Sequence, residues 1–404
     1  ELRGHIIDSG IMMQLMDRVM DMGGNFEILV FDVGKKKTDT SYARLKIVAQ
    51  DKEKLRSILS ELHRLGARLP PVKSVHYEPA AGDKNVPKDF YTTTNHPTQV
   101  RLEDEWVPVA GIEMDFLIVV DPKKKNARCM PLGKIKKGDL VVVGEEGVMV
   151  NYPARPRTSS TFEFMHGTVS SERPSETLIA QIAKEILEVH KAGGKIILVG
   201  GPAIIHTGAD KAVAGLIKKG YINVLFAGNA LATHDVECNL YGTSLGMDIK
   251  TGKPVMGGHR HHLYAISEIM RAGSLKNAVD QGVLKGGIMY ECIKNNVPFV
   301  LAGSIRDDGP LPDVIQDTME AQDAMRRHIP GCKMVLMVAT LLHSIAVGNC
   351  LPSSVKTVCV DINPASVTKL MDRGTTQAIG IVSDAGTFFP LLAEQIEKQS
   401  AGKK

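Results

Sequence analysis

Beyond about residue 170, six short apolar runs recur with helical stretches between them: Lys195 to Val199, Ile222 to Phe226, Val297 to Ala302, Met334 to Val338, Thr357 to Val360 and Ala378 to Val382. Runs that are apolar throughout, instead of alternating, are buried on both faces. Strands of that kind, separated by helices, imply a parallel sheet with right-handed crossovers. The spacing predicts an open α/β domain over residues 170–400, begun by a helix from Ser175 to Lys191 that turns through Gly193-Gly194 into the first strand.

Two smaller domains are expected before it. Residues 1–80 read as strand, helix, strand, strand, helix, strand. Ser9 can cap a helix whose apolar residues Met12, Leu15, Met16, Val19 and Met20 recur at three and four, and Gly23-Gly24 stops it. Two strands, Phe26 to Val33 and Tyr42 to Ala49, flank a turn, and Leu55, Ile58, Leu59, Leu62 and Leu65 mark a second helix. This βαββαβ order predicts a ferredoxin-like N-terminal domain. Over 85–165 the helical period vanishes, and short alternating runs between Gly, Pro and Lys turns predict a small β-barrel or sandwich. Two polar clusters, Tyr91 to Pro97 and Arg155 to His166, are either linkers or faces turned to a ligand. The fold class is therefore multidomain, α+β followed by α/β.

At 404 residues the chain has room for these three domains. A net charge of +4, from 49 basic and 45 acidic residues, with only 5% aromatics, argues against a nucleic-acid-binding face. The six cysteines contain no CxxC pair, so reduced thiols are expected instead of a disulfide framework. No basic-then-apolar signal opens the sequence, and the most apolar window, Met334 to Val347, is too short for a membrane span and holds His343 and Ser344. A cytoplasmic protein without nucleic-acid or membrane partners is the expectation.

Chemistry concentrates where the apolar runs end, because parallel strands deliver their loops to one edge of the sheet, where open α/β folds bind ligands. Those loops are 200–208, Ala227 to Ala230, Gly303 to Asp313, Ala339 to His343, Asp361 to Pro364 and Ser383 to Gly386. Small residues let backbone N–H groups approach a pyrophosphate at a helix start, and an acid at a strand end suits a ribose diol. Asp361, after Thr-Val-Cys-Val, is the most ribose-like of these acids. No GxGxxG occurs at any of the loops, so a nucleotide would be held by a non-standard set of strand ends.

The densest loop is Ser304-Ile-Arg-Asp-Asp-Gly-Pro-Leu-Pro-Asp313. Arg306 can fork onto a carboxylate, and Asp307, Asp308 and Asp313 can hold ribose hydroxyls or an ammonium group. The alternative is a solvated turn followed by a helix capped by Asp313. In Gly257-Gly-His-Arg-His-His262 the histidines lack zinc-site spacing and Arg260 adds positive charge, so no metal is expected. That segment reads instead as the mouth of a pocket, supplying acid/base or carboxylate-binding groups. Neither a GxSxG elbow nor HExxH occurs.

Several segments carry a family likeness. Gly4-His-Ile-Ile-Asp-Ser-Gly10, Gly24-Asn-Phe-Glu-Ile28, Asp39-Thr-Ser-Tyr-Ala-Arg44, Thr94-Asn-His-Pro-Thr98 and the strand-end loops resemble the archaeal-type ornithine cyclodeaminases, the LOR/SDH-related family, over essentially the whole chain. They also resemble the carboxyl-terminal module of cyanobacterial arginine dihydrolase/ornithine cyclodeaminase proteins. More distantly, the C-terminal half resembles the Rossmann-like NAD-binding fold of deoxyhypusine synthase. Asp308-Gly-Pro-Leu-Pro-Asp313 is similar to that family's DGxLGD, and Ser383-Asp-Ala-Gly-Thr-Phe-Phe-Pro-Leu-Leu392 to its ADAxxxFPLL. Pro312 replaces a glycine and the catalytic lysine motif has no match, so this second likeness extends to the cofactor and not to hypusine chemistry.

The resemblances imply that Asn229, Ala230, Asp308, Ala339, Thr340, Leu341, Asp361, Asp384 and Ala385 line an NAD site, and that Asp313 faces a substrate amine. Asp307, Leu342 and His343, in the same loops, join the cofactor set. The implied reaction turns L-ornithine into L-proline and ammonia through hydride transfer to and from bound NAD. Such chemistry needs a cation for the substrate carboxylate, with Arg306 first and Arg260 or Arg155 in reserve. It also needs a base for ammonium groups that titrate near ~10.4 when unperturbed, for which Asp313, His262 and His96 are the candidates. A homo-oligomer is expected, with the N-terminal domain as cover, interface or sensor. Two rival readings are an NAD(P)-dependent amino-acid dehydrogenase of the saccharopine or lysine-oxoglutarate reductase type, and a non-catalytic amino-acid sensor with structural NAD.

Overall fold

The computed structural model describes residues 1–7, 9–36, 38–68, 73–151, 175–307, 309–373 and 378–401. They form two compact units, Glu1–Lys73 and Ser74–Lys404. Arg155 to His166 and Asp308, singled out in the sequence, lie outside the described residues.

The first unit contains β1 (Leu2–Gly4), α1 (Ile11–Asp21), β2 (Asn25–Asp32), β3 (Ser41–Val48) and α2 (Lys52–Arg64). Its strands form an antiparallel sheet in the order β1-β3-β2. The helical stripes bury Met12, Leu15, Val19, Ile58 and Leu62 against Leu2 and Ala43. Asp51 caps α2 by accepting the Lys54 N–H at 2.8 Å. Gly10, in the left-handed conformation at φ 66, occupies the cap position of α1, while the Ser9 hydroxyl donates back to the His5 carbonyl.

The strand expected to complete a βαββαβ set belongs elsewhere. It is β4 (His76–Pro79), and it pairs antiparallel with β9 (Leu140–Val143) in the second unit. The other strands of that all-β region are β5 (Thr98–Leu102), β6 (Glu105–Ala110), β7 (Leu117–Asp121), β8 (Asn126–Met130) and β10 (Val148–Val150). They make one seven-stranded sheet, β10-β5-β6-β8-β7-β9-β4, antiparallel except for β6 with β8. Alternation splits its apolar residues into two packed sets, one around Val100, Ile118 and Val142, the other around Leu117, Val119 and Val141.

The remainder is α/β. In chain order it runs α3 (Ser175–Lys191), β11 (Lys195–Gly200), α4 (Ala203–His206), α5 (Asp210–Lys218), β12 (Val224–Gly228), α6 (Asn229–Tyr241), and the short hairpin of β13 (Thr243–Ser244) and β14 (Met247–Asp248). Then come α7 (His261–Ala272), α8 (Leu275–Asp280), α9 (Ile288–Lys294), β15 (Phe299–Ala302), β16 (Val314–Ile315), α10 (Thr318–His328) and β17 (Cys332–Val338). It closes with α11 (Leu341–Cys350), β18 (Lys356–Asp361), α12 (Pro364–Arg373), β19 (Ala378–Val382) and α13 (Ala385–Ala401).

Seven strands form a wholly parallel sheet, β16-β15-β12-β11-β17-β18-β19. Ile196 and Leu198 of β11 pack into one apolar cluster and Ile197 and Val199 into the other, as a strand covered on both faces requires. The all-β region is tied to this domain by Arg326, whose Nε donates to Glu113 at 2.9 Å, and by backbone bonds from Met114 to Asn349 and from Ser353 to Asn95. All six cysteines are free thiols, and no described helix is long and apolar enough to cross a membrane.

Candidate functional site

The loops of the parallel sheet converge on one crevice. With the edge strand β16 set aside, its strands counted in chain order lie 3-2-1-4-5-6, and the order reverses between β11 and β17. At such a switch point neighbouring loops turn to opposite faces and leave room for a ligand. A cleft of about 500 Å³ lies there, lined by Gly200 to Pro202 after β11, Gly228 to Leu231 at the β12–α6 turn, Ser304, Arg306 and Asp307 after β15, and Thr340 and His343 at the start of α11. A cavity of similar size in the first unit, about 450 Å³, is walled mainly by Leu2, Leu15, Leu45, Ile47, Leu59 and Leu62. The switch-point cleft is the candidate site, because Asp307, four histidines and an arginine converge in it.

One wall is a strand–turn–helix–strand unit made by β17, α11 and β18. The turn residue is Ala339, held in the left-handed conformation at φ 55 that glycine ordinarily takes. Its N–H donates to the Val360 carbonyl at 2.9 Å. Asp361 ends β18 about 20 residues further on, the separation at which an acid reaches a ribose in dinucleotide-binding units, and its Oδ1 accepts the Asn363 N–H at 2.8 Å. The architecture of the nucleotide fingerprint is therefore present with alanine at the turn, which is why a glycine motif does not mark it.

The second wall is α6. Nearly every side of this helix is buried, its polar residues Asn229, Thr233, His234, Asp235 and Glu237 included. Such burial requires partners, and each has one. Asn229 Oδ1 accepts the Leu311 N–H at 3.0 Å and the Thr233 hydroxyl at 3.2 Å, pinning the loop after β15 to the helix. Asp235 accepts the Ile288 and Met289 N–H groups at 2.9 and 2.8 Å, capping α9, and its complete burial pushes its pKa up to about 7. Glu237 Oε2 takes His234 Nδ1 at 2.8 Å, and Oε1 takes the Thr243 hydroxyl at 2.9 Å and the Gly246 N–H at 3.2 Å. Burial pushes this carboxyl's pKa up, but those bonds outweigh it and the net shift is downward.

The third wall is the turn after β15. Asp307 Oδ2 accepts the Ser304 N–H at 2.8 Å, and Ser304 Oγ accepts the Arg306 N–H at 3.2 Å. Arg306 itself is exposed and makes no ion pair among the described residues. Burial lowers the pKa of His343 across the cleft, with Asp307 opposing the shift.

Comparison with known proteins agrees with this architecture. Residues 180–392 match the family described as arginine dihydrolase ArgZ-like, C-terminal, Rossmann fold; residues 97–179 match its first region, and residues 1–96 the LOR/SDH bifunctional enzyme conserved region. The ornithine cyclodeaminase of Methanothermobacter thermautotrophicus is 59% identical over 99% of this chain and 98% of its own, and that of Methanocaldococcus jannaschii 58% over 98% and 96%. This chain belongs to the ornithine cyclodeaminase family. A crystal structure of a LOR/SDH protein from Methanococcus maripaludis superposes on this member of the family with a TM-score of 0.77 at 55% identity, over 83% of this chain and all of the other. A ternary complex of AgrE with ornithine and NAD+ gives a TM-score of 0.56 at 42% identity, over 99% of this chain and 57% of AgrE.

In this cyclodeaminase-family chain the cleft gathers Asn229, Ala230, Arg306, Asp307, Thr340, His343 and His262 from the set expected on sequence. Ala339 and Leu341 flank Thr340 in the chain, whereas Leu342 is 76% exposed. Asp384 immediately precedes α13, accepting the Thr387 N–H and hydroxyl at 2.9 and 2.7 Å, and Ala385, the first residue of the helix, is buried. Two expectations are corrected. Asp313 does not line the cleft: its Oδ2 accepts the Leu275 N–H at 2.8 Å at the start of α8, and the helix after it, α10, is capped by Asp317 instead. His96 is buried beside the Asn95–Ser353 bond, past the far end of α11 from the cleft. Sequence reasoning passed over His206, His234 and Glu237. The one available signal was a helix with polar residues on every side directly after a buried strand.

Proposed function

We propose that this protein converts L-ornithine to L-proline and ammonia with NAD as a recycling cofactor. The observation that carries the reading is the switch-point cleft. It brings Thr340 and His343, from the start of α11 in a nucleotide-type strand–turn–helix–strand–acid unit, together with Arg306, which makes no ion pair among the described residues, in a chain whose full-length relatives are ornithine cyclodeaminases.

The residues fit the cofactor. The left-handed turn at Ala339 opens α11, whose first N–H groups and positive dipole end favour a pyrophosphate over Ala339, Thr340 and Leu341. Gly201 adds no side chain where it crosses that turn. Asp361 would accept from a ribose diol, and Gly228, Asn229, Ala230 and Asp307 would meet the other end of the dinucleotide. Once bound, NAD takes hydride from the substrate α-carbon and returns it to the same carbon after ring closure, so net redox change is zero.

The rest falls to the chain itself. Arg306 can fork onto the substrate carboxylate without surrendering an ion pair among the described residues. Asp307 beside it attracts an ammonium group. Leu231 and Ile266 give the cleft an apolar side that limits water. Incubating the protein with L-ornithine and NAD should yield proline and ammonia in equal amounts. Lasting reduction of nicotinamide without proline would support a dehydrogenase instead, and ornithine binding without turnover a sensor.

A further inference from the structure

The cyclisation proposed above needs a group that takes a proton from a substrate ammonium and returns it to the nitrogen that leaves as ammonia. Asp313 and His96 are not at the cleft. We propose that His234, held by Glu237, is the acid/base of this site.

The geometry is specific. His234 lines the cleft and is otherwise packed away, with 11% of its side chain exposed, while Glu237 behind it is fully buried. His234 Nδ1 lies 2.8 Å from Glu237 Oε2. Donation from Nδ1–H to the carboxylate leaves Nε2 as the acceptor of the ring. The carboxylate is fixed in turn by Thr243, by the Gly246 N–H at 3.2 Å and by the Leu245 N–H at 3.3 Å, so it cannot swing away from the imidazole. Thr243 Oγ1 also meets His261 Nδ1 at 2.8 Å. A histidine oriented by a buried acid is the arrangement that lets an imidazole carry a proton through a reaction cycle.

The balance is simple. Once the δ-amine has added to the α-carbon, an N–H bond of the resulting ring ammonium breaks and an Nε2–H bond forms, which frees the ring-nitrogen lone pair that forms the C=N bond as the exocyclic C–N bond breaks. The imidazolium charge is offset by the Glu237 carboxylate. The same proton then moves from Nε2 to the departing nitrogen, and no outside acid, base or oxidant is consumed. His234 would touch the reacting atoms, whereas Glu237 is a positioning residue that fixes the tautomer and favours the charged ring.

The inference rests on the ornithine reading, so wild-type turnover comes first; no proline from ornithine would defeat that reading. Given turnover, His234→Gln should lower kcat by about 10²-fold or more while binding ornithine and NAD as the wild type does. In His234→Ala, free imidazole should restore part of the rate. Glu237→Gln should keep the hydrogen-bonding shape but remove the charge, so the ring ionises less readily. The acid limb of kcat/KM, which needs neutral His234, should then move to lower pH. His206 from α4, His262 from α7, Arg306 and Asp307 after β15 and His343 from α11 face the same cleft, and all remain in the variant, so the difference reports Glu237. Full activity in folded His234→Gln, or an unmoved acid limb in folded Glu237→Gln, would overturn the assignment.

Discussion

The Cα of Gly201 lies so close to the main chain of Ala339 that a Cβ on Gly201 would stand 1.9 Å from the Ala339 carbonyl oxygen. One residue opens the loop after β11 and the other the loop after β17, so their contact is the floor of the switch point. A left-handed alanine on one side and an obligatory glycine on the other form one device.

Gly201→Ala is therefore expected to be disruptive out of proportion to its size. The added methyl meets backbone, which cannot yield as a flexible side chain would, and overpacking of this kind costs about 1–3 kcal/mol. Thermal melts should show that loss, and NAD titration should show weaker binding beyond it. Ala339→Gly should be tolerated, because glycine adopts the same φ without strain.

Asp361→Ala should weaken NAD binding by roughly 10-fold or more, the worth of a hydrogen bond to a charged group, with little effect on melting temperature. Fluorescence titration of the purified protein reads both. Unchanged affinity would remove Asp361 from the ribose.

Arg306→Ala should raise KM for ornithine by roughly 10- to 100-fold, since a charge-assisted hydrogen bond contributes about 1.5–3 kcal/mol. Arg306→Lys should recover only part of it, because an ammonium cannot form the bidentate fork. Because Arg306 is exposed and makes no ion pair among the described residues, stability should not change.

Asp235 yields a pH prediction. Its folded pKa of about 7 lies above the ordinary carboxylate value near 3.8, chiefly through burial. The unfolded chain therefore releases the proton first, and stability present at low pH is lost as pH rises through the folded value. In Asp235→Asn the slope of stability between about pH 4 and 7 should flatten. The substitution also sets an NH₂ against the Ile288 or Met289 N–H, costing about 1–3 kcal/mol at low pH. Denaturant midpoints across that range measure both.

Asp313→Asn separates a cap from a base. As the acceptor of the Leu275 N–H, Asp313 should be replaceable by asparagine with kcat changed only a few-fold. A loss of about 10²-fold would return the residue to the chemistry.

The parallel sheet was legible in the sequence because its strands, buried on both faces, are apolar throughout; Ile196 to Val199 illustrate the pattern. Pairing was less so. His76–Pro79 has the composition of a strand in either domain, and only its antiparallel register with Leu140–Val143 assigns it. The cleft followed the same division. Arg306 and Asp307 stand in a loop whose charge density announces a site, and Asn229 and Thr340 stand at strand ends. The φ of Ala339 has no signature in an alanine, and His234 and Glu237 acquire meaning from a hydrogen bond inside a helix that the hydrophobic period does not mark. Asp313 misled because a carboxylate at a loop end caps a distant helix as readily as it binds an amine.

The most direct test of cofactor recycling uses L-ornithine deuterated at the α-carbon, with proline analysed by mass spectrometry and reduced nicotinamide followed by absorbance. Return of the hydride to the carbon that gave it predicts proline that keeps its deuterium, with no lasting absorbance change. Deuterium accumulating in reduced nicotinamide, or proline formed without it, would contradict the account.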